Sequence, residues 1–396
     1  MSKIEDLIKQ YCPNGCEWKS FYDVAAYVRG VSYSKSKDLG ISGNGHKLLR
    51  ANNIDVESNS LNLTDVKIVD YSVKVKKSQM LMADDILICA GSGSKEHIGK
   101  VSYIYEDMDY TFGGFMGVIR SDKKEIHPRY MFHILMSPLF RNYIKSSDSS
   151  TINNINNETW KNFQIPIPPR PVQDEIVRIL DKFTELEKEL EKELELRRKQ
   201  YEFYRDELLT FGDEVERKRL GEVLTIKNGR DYKSFNHGNV PVYGSGGIMA
   251  YVDTYAYDGP SVLIPRKGSL SNIFYVEGQF WTVDTIFYTI IDESQVLPKY
   301  VFYYLQNAHL EELNQAGGVP SLSQGVLNPY PIPVPSPMEQ ERIVKILDKF
   351  DTLTTSLTSG LPAEIKLRKQ QYEYYRDYLF GLLKCQFNMV NHHASI

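Results

Sequence analysis

Two long stretches of the chain place apolar residues at three- and four-residue intervals, and the remainder is punctuated by glycine, serine, asparagine and proline. In the first stretch Ile176, Ile179, Leu180, Phe183, Leu186, Leu190, Leu194, Tyr201, Tyr204 and Leu208 keep one face of a helix apolar. In the second, Ile343, Ile346, Leu347, Phe350, Leu353 and Leu357 do the same, followed by Ile365, Tyr372, Tyr375 and Leu379. Pro171 and Pro337 suit the first helical position, where a missing N–H costs nothing, and Ser336 with Glu339 makes a capping box. Prolines ahead of each stretch (Pro166, Pro168, Pro169; Pro331, Pro333, Pro335) impose an extended lead-in. From 171 to 209 the first helix would span roughly 55–60 Å at the rise of an α-helix. A helix of that length with a narrow apolar stripe needs a partner along it. Its own copy is the obvious one, giving an antiparallel coiled-coil pair. In the second stretch Gly360 and Pro362 predict a break before the helix resumes.

The two stretches are copies. Ile165-Pro-Ile-Pro-Pro…Ile-Leu-Asp-Lys-Phe183 matches Ile332-Pro-Val-Pro-Ser…Ile-Leu-Asp-Lys-Phe350 at an offset of 167 residues. Further on, Arg198-Lys-Gln-Tyr-Glu-Phe-Tyr-Arg-Asp206 matches Lys369-Gln-Gln-Tyr-Glu-Tyr-Tyr-Arg-Asp377 at an offset of 171, so four extra residues fall at the break. Upstream, weaker matches keep the same order: 18–24 with 217–223, 86–94 with 262–270, and 128–132 with 298–302. The repeating unit is a variable region, a proline-rich lead-in and a long helix. What diverges is the region in front of the helix.

Those variable regions alternate short apolar runs with turn residues. Strands are predicted at 86–90, 99–105, 261–264, 272–276 and 285–291, and amphipathic helices at 128–145 and 298–313. The class is therefore α+β, with a helical spacer and a pseudo-two-fold internal repeat.

A length of 396 residues exceeds one ordinary compact domain. The composition is 42% hydrophobic and 25% charged without a membrane-length apolar run, and the first residues lack the basic head and apolar core of a signal peptide. Four scattered cysteines (Cys12, Cys16, Cys89, Cys385) fit reduced thiols, so a cytoplasmic location is expected. Cys12 and Cys16 resemble half a zinc site, but no nearby Cys/His pair completes it, and no metal is expected. The net charge of −4 is accounted for by 185–196 alone, with six Glu and two Lys. The rest is balanced, so charge neither supports nor excludes nucleic acid.

Two features carry a resemblance: Ile-Pro-Ile-Pro-Pro…Gln…Ile…Leu-Asp-Lys-Phe, present twice before long helices, and Cys12-Pro-Asn-Gly-Cys-Glu-Trp18 followed by Val24. Together they resemble the specificity subunits of Type I restriction-modification systems. The likeness extends to about Leu383 and is strongest at 165–209 and 332–380. It implies two similar target-recognition domains separated by two long antiparallel coiled-coil helices. The corresponding division is 1–165 and 213–331 for the recognition domains, 166–212 and 332–383 for the spacer helices, and 384–396 for a polar tail. It also implies that each domain reads half of an asymmetric bipartite site in double-stranded DNA. The helices would set the spacer and dock two methyltransferase (modification) subunits, with restriction motor-nuclease subunits joining the larger complex. The chain itself would be non-catalytic, bind no cofactor and contact no membrane. A scaffold that assembles partners without reading sequence is the competing interpretation.

Candidate DNA contacts are polar loop residues: Lys35, Lys37, Lys47, Arg50, Ser92, Ser94, Lys95, His97 and Lys100 in the first domain. In the second they are Arg230, Tyr232, Lys233, Arg266, Lys267 and Ser269. Arg and Lys suit guanine edges and phosphates; the competing reading of any one of them is simple solvation. Ile176, Leu180, Phe183, Leu186, Leu190, Leu194, Tyr201, Tyr204, Ile343, Leu347, Phe350, Tyr372 and Tyr375 are assigned to the spacer helices and to partner docking. Because Tyr201, Phe203, Tyr204, Tyr372, Tyr374 and Tyr375 recur in both copies at helical spacing, packing is favoured over base stacking. The tandem Glu-Leu-Glu-Lys units at 185–188 and 189–192 each add roughly 6 Å of helix, a ruler as well as a set of i,i+4 ion pairs.

Two enzyme-like motifs fail on detail. Tyr243-Gly-Ser-Gly-Gly247 with Asn328-Pro-Tyr330 mimics a methyltransferase, yet no βαβ succession surrounds it. The stretch 93–100 resembles a phosphate loop with the wrong glycine spacing and no Ser/Thr after Lys100, leaving a phosphate cradle without hydrolysis.

Overall fold

The computed structural model describes residues 2–55, 58–93, 97–146, 154–314, 318–356 and 358–393. The chain divides into two compact units, Met1–Lys188 with Lys366–Ile396 and Glu189–Ile365, each described in turn.

Unit 1 opens with α1 (Ser2–Tyr11), which buries Ile4 and Ile8. β1 (Glu17–Ser20) runs into the short α2 (Phe21–Val24), closed by the Asp23 carboxylate accepting the Ser20 N–H at 3.1 Å. Eight strands follow: β2 (Ala25–Arg29), β3 (His46–Leu49), β4 (Lys67–Val69), β5 (Met80–Leu81), β6 (Ile86–Cys89), β7 (Val101–Tyr103), β8 (Met108–Phe112) and β9 (Met116–Ser121). They form two sheets, ordered β2-β9-β6-β7 and β4-β3-β8-β5. Pairing is antiparallel except that β3 runs parallel to β8, with Leu48 opposite Thr111. β6 is buried on both faces, which is why it reads as an unbroken apolar run.

The helix expected over 128–145 is two: α3 (Pro128–Met136) and α4 (Pro138–Ser146). Pro138 has no N–H to continue the ladder and pushes Ser137 to an extended ψ of 163°, so the helix must restart. After α5 (Asn157–Asn162), β10 (Gln164–Ile167) pairs with β1, and α6 (Arg170–Leu208) then runs 39 residues without interruption.

Unit 2 repeats the plan. β11 (Arg217–Arg219) and α7 (Leu220–Val223) stand for β1 and α2, again closed by a carboxylate, Glu222, on the Arg219 N–H at 2.7 Å. Next come β12 (Leu224–Asn228), β13 (Val240–Gly244), β14 (Gly247–Val252), β15 (Tyr257–Asp258), β16 (Ser261–Pro265), β17 (Phe274–Val276), β18 (Gln279–Thr282) and β19 (Ile286–Ile291). Their sheets are ordered β12-β19-β16-β17 and β14-β13-β18-β15, strand for strand the order of unit 1. β13 and β18 supply the parallel pair. The helix expected over 298–313 shortens to α8 (Pro298–Gln306) and a 3-10 turn at Leu310–Leu313, because His309 takes a left-handed φ of 46° that ends the α ladder. α9 (Gln324–Leu327) and β20 (Pro331–Pro333) lead to α10 (Pro337–Thr355), which the Ser336 side chain caps. The second long stretch breaks where Gly360 and Pro362 predict, and α11 (Leu361–His393) follows. Leu357, part of the apolar periodicity, lies outside the described residues. α11 remains helical past Leu383, where a polar tail is expected from the sequence, since no Gly or Pro interrupts 382–393.

Within unit 1, α6 packs on α11. Phe183 stacks on Tyr375 with ring centroids 5.2 Å apart, and Glu187 pairs with Lys369 at 3.4 Å, so the two helices run antiparallel. Ile176, Leu180 and Tyr372 are buried in the same core. Within unit 2, Tyr201 and Tyr204 pack on Phe350, and Ile343 and Leu347 are fully buried. Each such aliphatic burial contributes about 1.5–3 kcal/mol. Leu186, Leu190 and Leu194 are half-buried.

Both long helices hold their domain by the same three devices. Gln173, buried, accepts the His127 N–H at 2.8 Å and donates to the Pro168 carbonyl at 2.9 Å; Gln340 does the same to Leu297 and Pro335. Tyr130 donates to the Pro166 carbonyl and Tyr300 to that of Pro333, both at 2.9 Å. Asp181 holds Arg129 and His133 on α3, while Asp348 holds Lys299 and Tyr303 on α8.

Candidate nucleic-acid interface

Four segments distant in sequence meet in unit 1. The chain after β2, the end of β3, the loop after β6 and the β8–β9 turn surround a cleft of ≈ 800 Å³. Lys35, Arg50, Ser92 and His97, all picked out in the sequence, line it together with Arg29 and Asn52, which were not. The cleft is therefore basic. Asp38, also in the wall, is neutralised by Lys67, whose hydrogen bond draws the carboxyl below its usual range. Arg50 is braced by Asp65 at 2.9 Å, and Phe115 stands exposed on the rim.

Of the other first-domain candidates, Lys37, Lys47 and Lys100 are not among the cleft-lining residues. Lys37 is 3.9 Å from Asp70; Lys47 is 3.8 Å from Asp109 and lies over the Tyr110 ring; Lys100 contacts the His97 ring. Ser94 and Lys95 fall outside the described residues.

Backbone hydrogen bonds build the cleft, and unit 2 duplicates them. In unit 1 the Val31 N–H donates to the Phe112 carbonyl at 2.7 Å, and the Ala90 and Gly91 N–H groups both donate to Phe115 at 2.9 Å. In unit 2 Arg230 donates to Thr282 at 2.8 Å, and Arg266 and Lys267 donate to Thr285 at 2.9 and 3.2 Å. Isolated bridges Gly91–Asn154 and Lys267–Ser321 coincide too. Where unit 1 has Val31, Ala90 and Gly91, unit 2 thus presents Arg230, Arg266 and Lys267. A glycine precedes the first position in each copy, because a Cβ on Gly30 or Gly229 would overlap the carbonyl of Gly113 or Val283.

Of the remaining second-domain candidates, Lys233 and Ser269 are exposed. Tyr232 is half-buried against the cluster around Trp281. Ile248, Met249 and Tyr251 on β14 are exposed apolar residues that no sequence motif marks. Gly244 and Gly247 of the methyltransferase-like motif pair across the β13–β14 hairpin.

On the long helices, Ile176, Leu180, Ile343, Leu347 and Tyr372 are buried within their own units, so a docking role does not fit them; they hold the helices together. Elsewhere on these helices the repeat places exposed apolar residues in register. Leu196 and Phe203 on α6 are 56% and 64% exposed, and their counterparts Leu367 and Tyr374 on α11 are 58% and 65% exposed. Spaced seven residues apart, each pair occupies one helix face.

Cys12 and Cys16 belong to the core, where burial pushes the Cys16 thiol up to about 12. Among the described residues no three His, Cys, Asp or Glu side chains stand together as a metal set, and no helix is long and apolar enough to cross a membrane.

A duplicated α+β domain with a basic cleft, joined to a duplicated helix, defines a class. The model of the Type I restriction modification DNA specificity domain matches residues 29–196 and 212–367, and the chain belongs to that family. It is 37% identical over 267 residues to the specificity subunit of the Type I restriction enzyme EcoR124I/EcoR124II of Escherichia coli, covering 58% of this chain and 65% of that relative. A putative Type I specificity subunit of Haemophilus influenzae is 29% identical, with 92% of this chain and 95% of the relative covered. The fold is similar to that of the Type I restriction-modification S subunit from M. genitalium, with a TM-score of 0.56 at 19% identity, covering 92% of this chain and 96% of the other. A second structure, described for assembly and conformational transition of the Type I system, gives 0.59 at 17% identity, covering 92% and 97%.

Proposed function

We propose that the chain is the DNA-reading subunit of a Type I restriction-modification complex and performs no catalysis. Each recognition domain takes one half of an asymmetric, bipartite duplex site. The observation that carries this reading is the pair of matched backbone frames in unlike surroundings: in unit 1 the frame residues Val31, Ala90 and Gly91 are buried and the cleft beside them carries Lys35, Arg50 and His97, whereas in unit 2 the frame itself bears Arg230, Arg266 and Lys267. A shared frame approaches DNA in the same way twice, and different side chains then select different bases.

The exposed pairs Leu196/Phe203 and Leu367/Tyr374 support docking of two copies of one partner, here the modification subunit, with motor-nuclease subunits joining the larger assembly. The uninterrupted helix through 185–192 supports a ruler that sets the gap between half-sites. Co-expression with a Type I modification subunit, followed by mapping of methylated adenines, tests the reading. A single two-part motif with a fixed gap is expected; a soluble complex that methylates no defined motif would leave only a scaffold.

A further inference from the structure

Besides the interruption between α10 and α11, the two units differ at α1. In unit 1, α1 touches both long helices: Lys3 pairs with Glu175 of α6 at 2.9 Å, and Tyr378 of α11 donates to the Glu5 carboxylate at 2.8 Å. Between these polar contacts Ile4 and Ile8 enter the core formed by Val172, Ile176, Leu379 and Leu383. Unit 2 has the equivalent helix pair, α6 with α10, and among its described residues no counterpart of α1. There α6 and α10 leave an open groove of ≈ 670 Å³.

The floor of that groove includes Tyr204, Leu208, Ile346 and Phe350, which the repeat equates with Tyr375, Leu379, Ile179 and Phe183 in unit 1. Leu379 is fully buried, whereas Leu208 is half-exposed. The edges differ in charge. Arg342 stands where unit 1 has Glu175, and Glu207 stands where it has Tyr378. Glu175 pairs with Arg178 on its own helix and still accepts Lys3; Arg342 likewise pairs with Glu339 at 2.7 Å and keeps half its side chain exposed.

We propose that the unit 2 groove seats one amphipathic helix of a partner protein, in the position α1 holds in unit 1 and with the opposite charge pattern. The occupant carries apolar residues four apart, as Ile4 and Ile8 are, a carboxylate against Arg342 and a basic group against Glu207. A second copy of this chain is disfavoured as occupant, since its α1 would set Lys3 against Arg342 and Glu5 against Glu207. The inference is independent of DNA reading.

The probe is a fluorescent peptide of residues 2–12 carrying Lys3→Glu and Glu5→Lys. It is stapled between the exposed positions 6 and 10 to remove the cost of helix nucleation. Anisotropy against the full chain should show saturable binding that Arg342→Glu, folded by circular dichroism, weakens about tenfold or more. The peptide of native charge should bind weakly to the natural chain and better to the Arg342→Glu/Glu207→Lys variant. The proposal is overturned if the swapped peptide fails to bind at about 1 mM, binds no better than the native one, or ignores Arg342→Glu. Concentration-dependent dimers abolished by Arg342→Glu would also overturn it, in favour of a second copy.

Discussion

His133 Nε2 lies 2.7 Å from Oδ1 of Asp181, joining a fully buried imidazole on α3 to the long helix α6. Nδ1 of the same ring meets the Tyr372 hydroxyl of α11 at 2.9 Å, so one histidine ties three helices. Arg129 adds a second donor to Asp181 at 3.0 Å and is packed over the Tyr103 and Phe132 rings. Asp181→Ala strands both donors. Since Asp181 is about a third exposed and water screens part of the loss, unit 1 should lose about 2 kcal/mol. Asp348→Ala, whose partner Lys299 is itself 37% exposed, should cost unit 2 about 1 kcal/mol. Urea unfolding of the two variants measures the difference.

The same histidine makes unit 1 sensitive to mild acid. Burial lowers the His133 pKa from 6.5 to about 4, the Asp181 hydrogen bond offsetting only part of it. A lowered folded pKa means that the unfolded chain takes up the proton first. The stabilising contribution is therefore whole above pH 6.5 and falls away toward pH 4, by up to about 3 kcal/mol. Asp181, held at about 2 because its hydrogen bonds outweigh burial, adds a further loss only below its ordinary 3.8. Unit 2 has Tyr303 in place of the histidine. Denaturant midpoints at pH 7 and pH 5 should thus separate for the natural chain and converge in His133→Gln.

Arg266 leaves the β16 strand on the backbone frame that corresponds to Ala90, with its guanidinium 5.8 Å from the Phe287 ring centroid. Arg266→Ala should weaken binding to the cognate duplex by about 1–3 kcal/mol and relax selectivity at one position of a single half-site. Equal binding at low salt would remove Arg266 from the interface.

The ruler makes its own prediction. Deleting Glu189–Lys192 removes one Glu-Leu-Glu-Lys unit from an uninterrupted helix, roughly 6 Å of rise. The gap in the methylated motif should shorten by about two base pairs while both half-sites keep their sequence. An unchanged gap refutes the ruler.

Much of this architecture was legible because repetition and apolar period survive divergence. The α6 start near Pro171 and the break at Gly360 follow from local chemistry that no tertiary contact overrides. The split at Ser137-Pro138 was hidden by apolar residues that kept a helical period across it. Parallel pairing of β3 with β8 joins Leu48 to Thr111, a relation that no local signal carries. Gln173 and Asp181 lay in plain view inside the repeated block, but a search for apolar period passes over polar residues that act from within a core. In the cleft, clusters of lysine and serine pointed to Lys35, Ser92 and His97, while Arg29 and Asn52, single polar residues beside strands, gave no such signal.

Exchanging 217–331 for the corresponding segment of another family member, and then mapping methylated adenines, tests the central claim most directly. One half of the motif should change while the other half and the gap between them stay fixed. If both halves changed together, or neither did, the two recognition domains would not be separate readers of DNA.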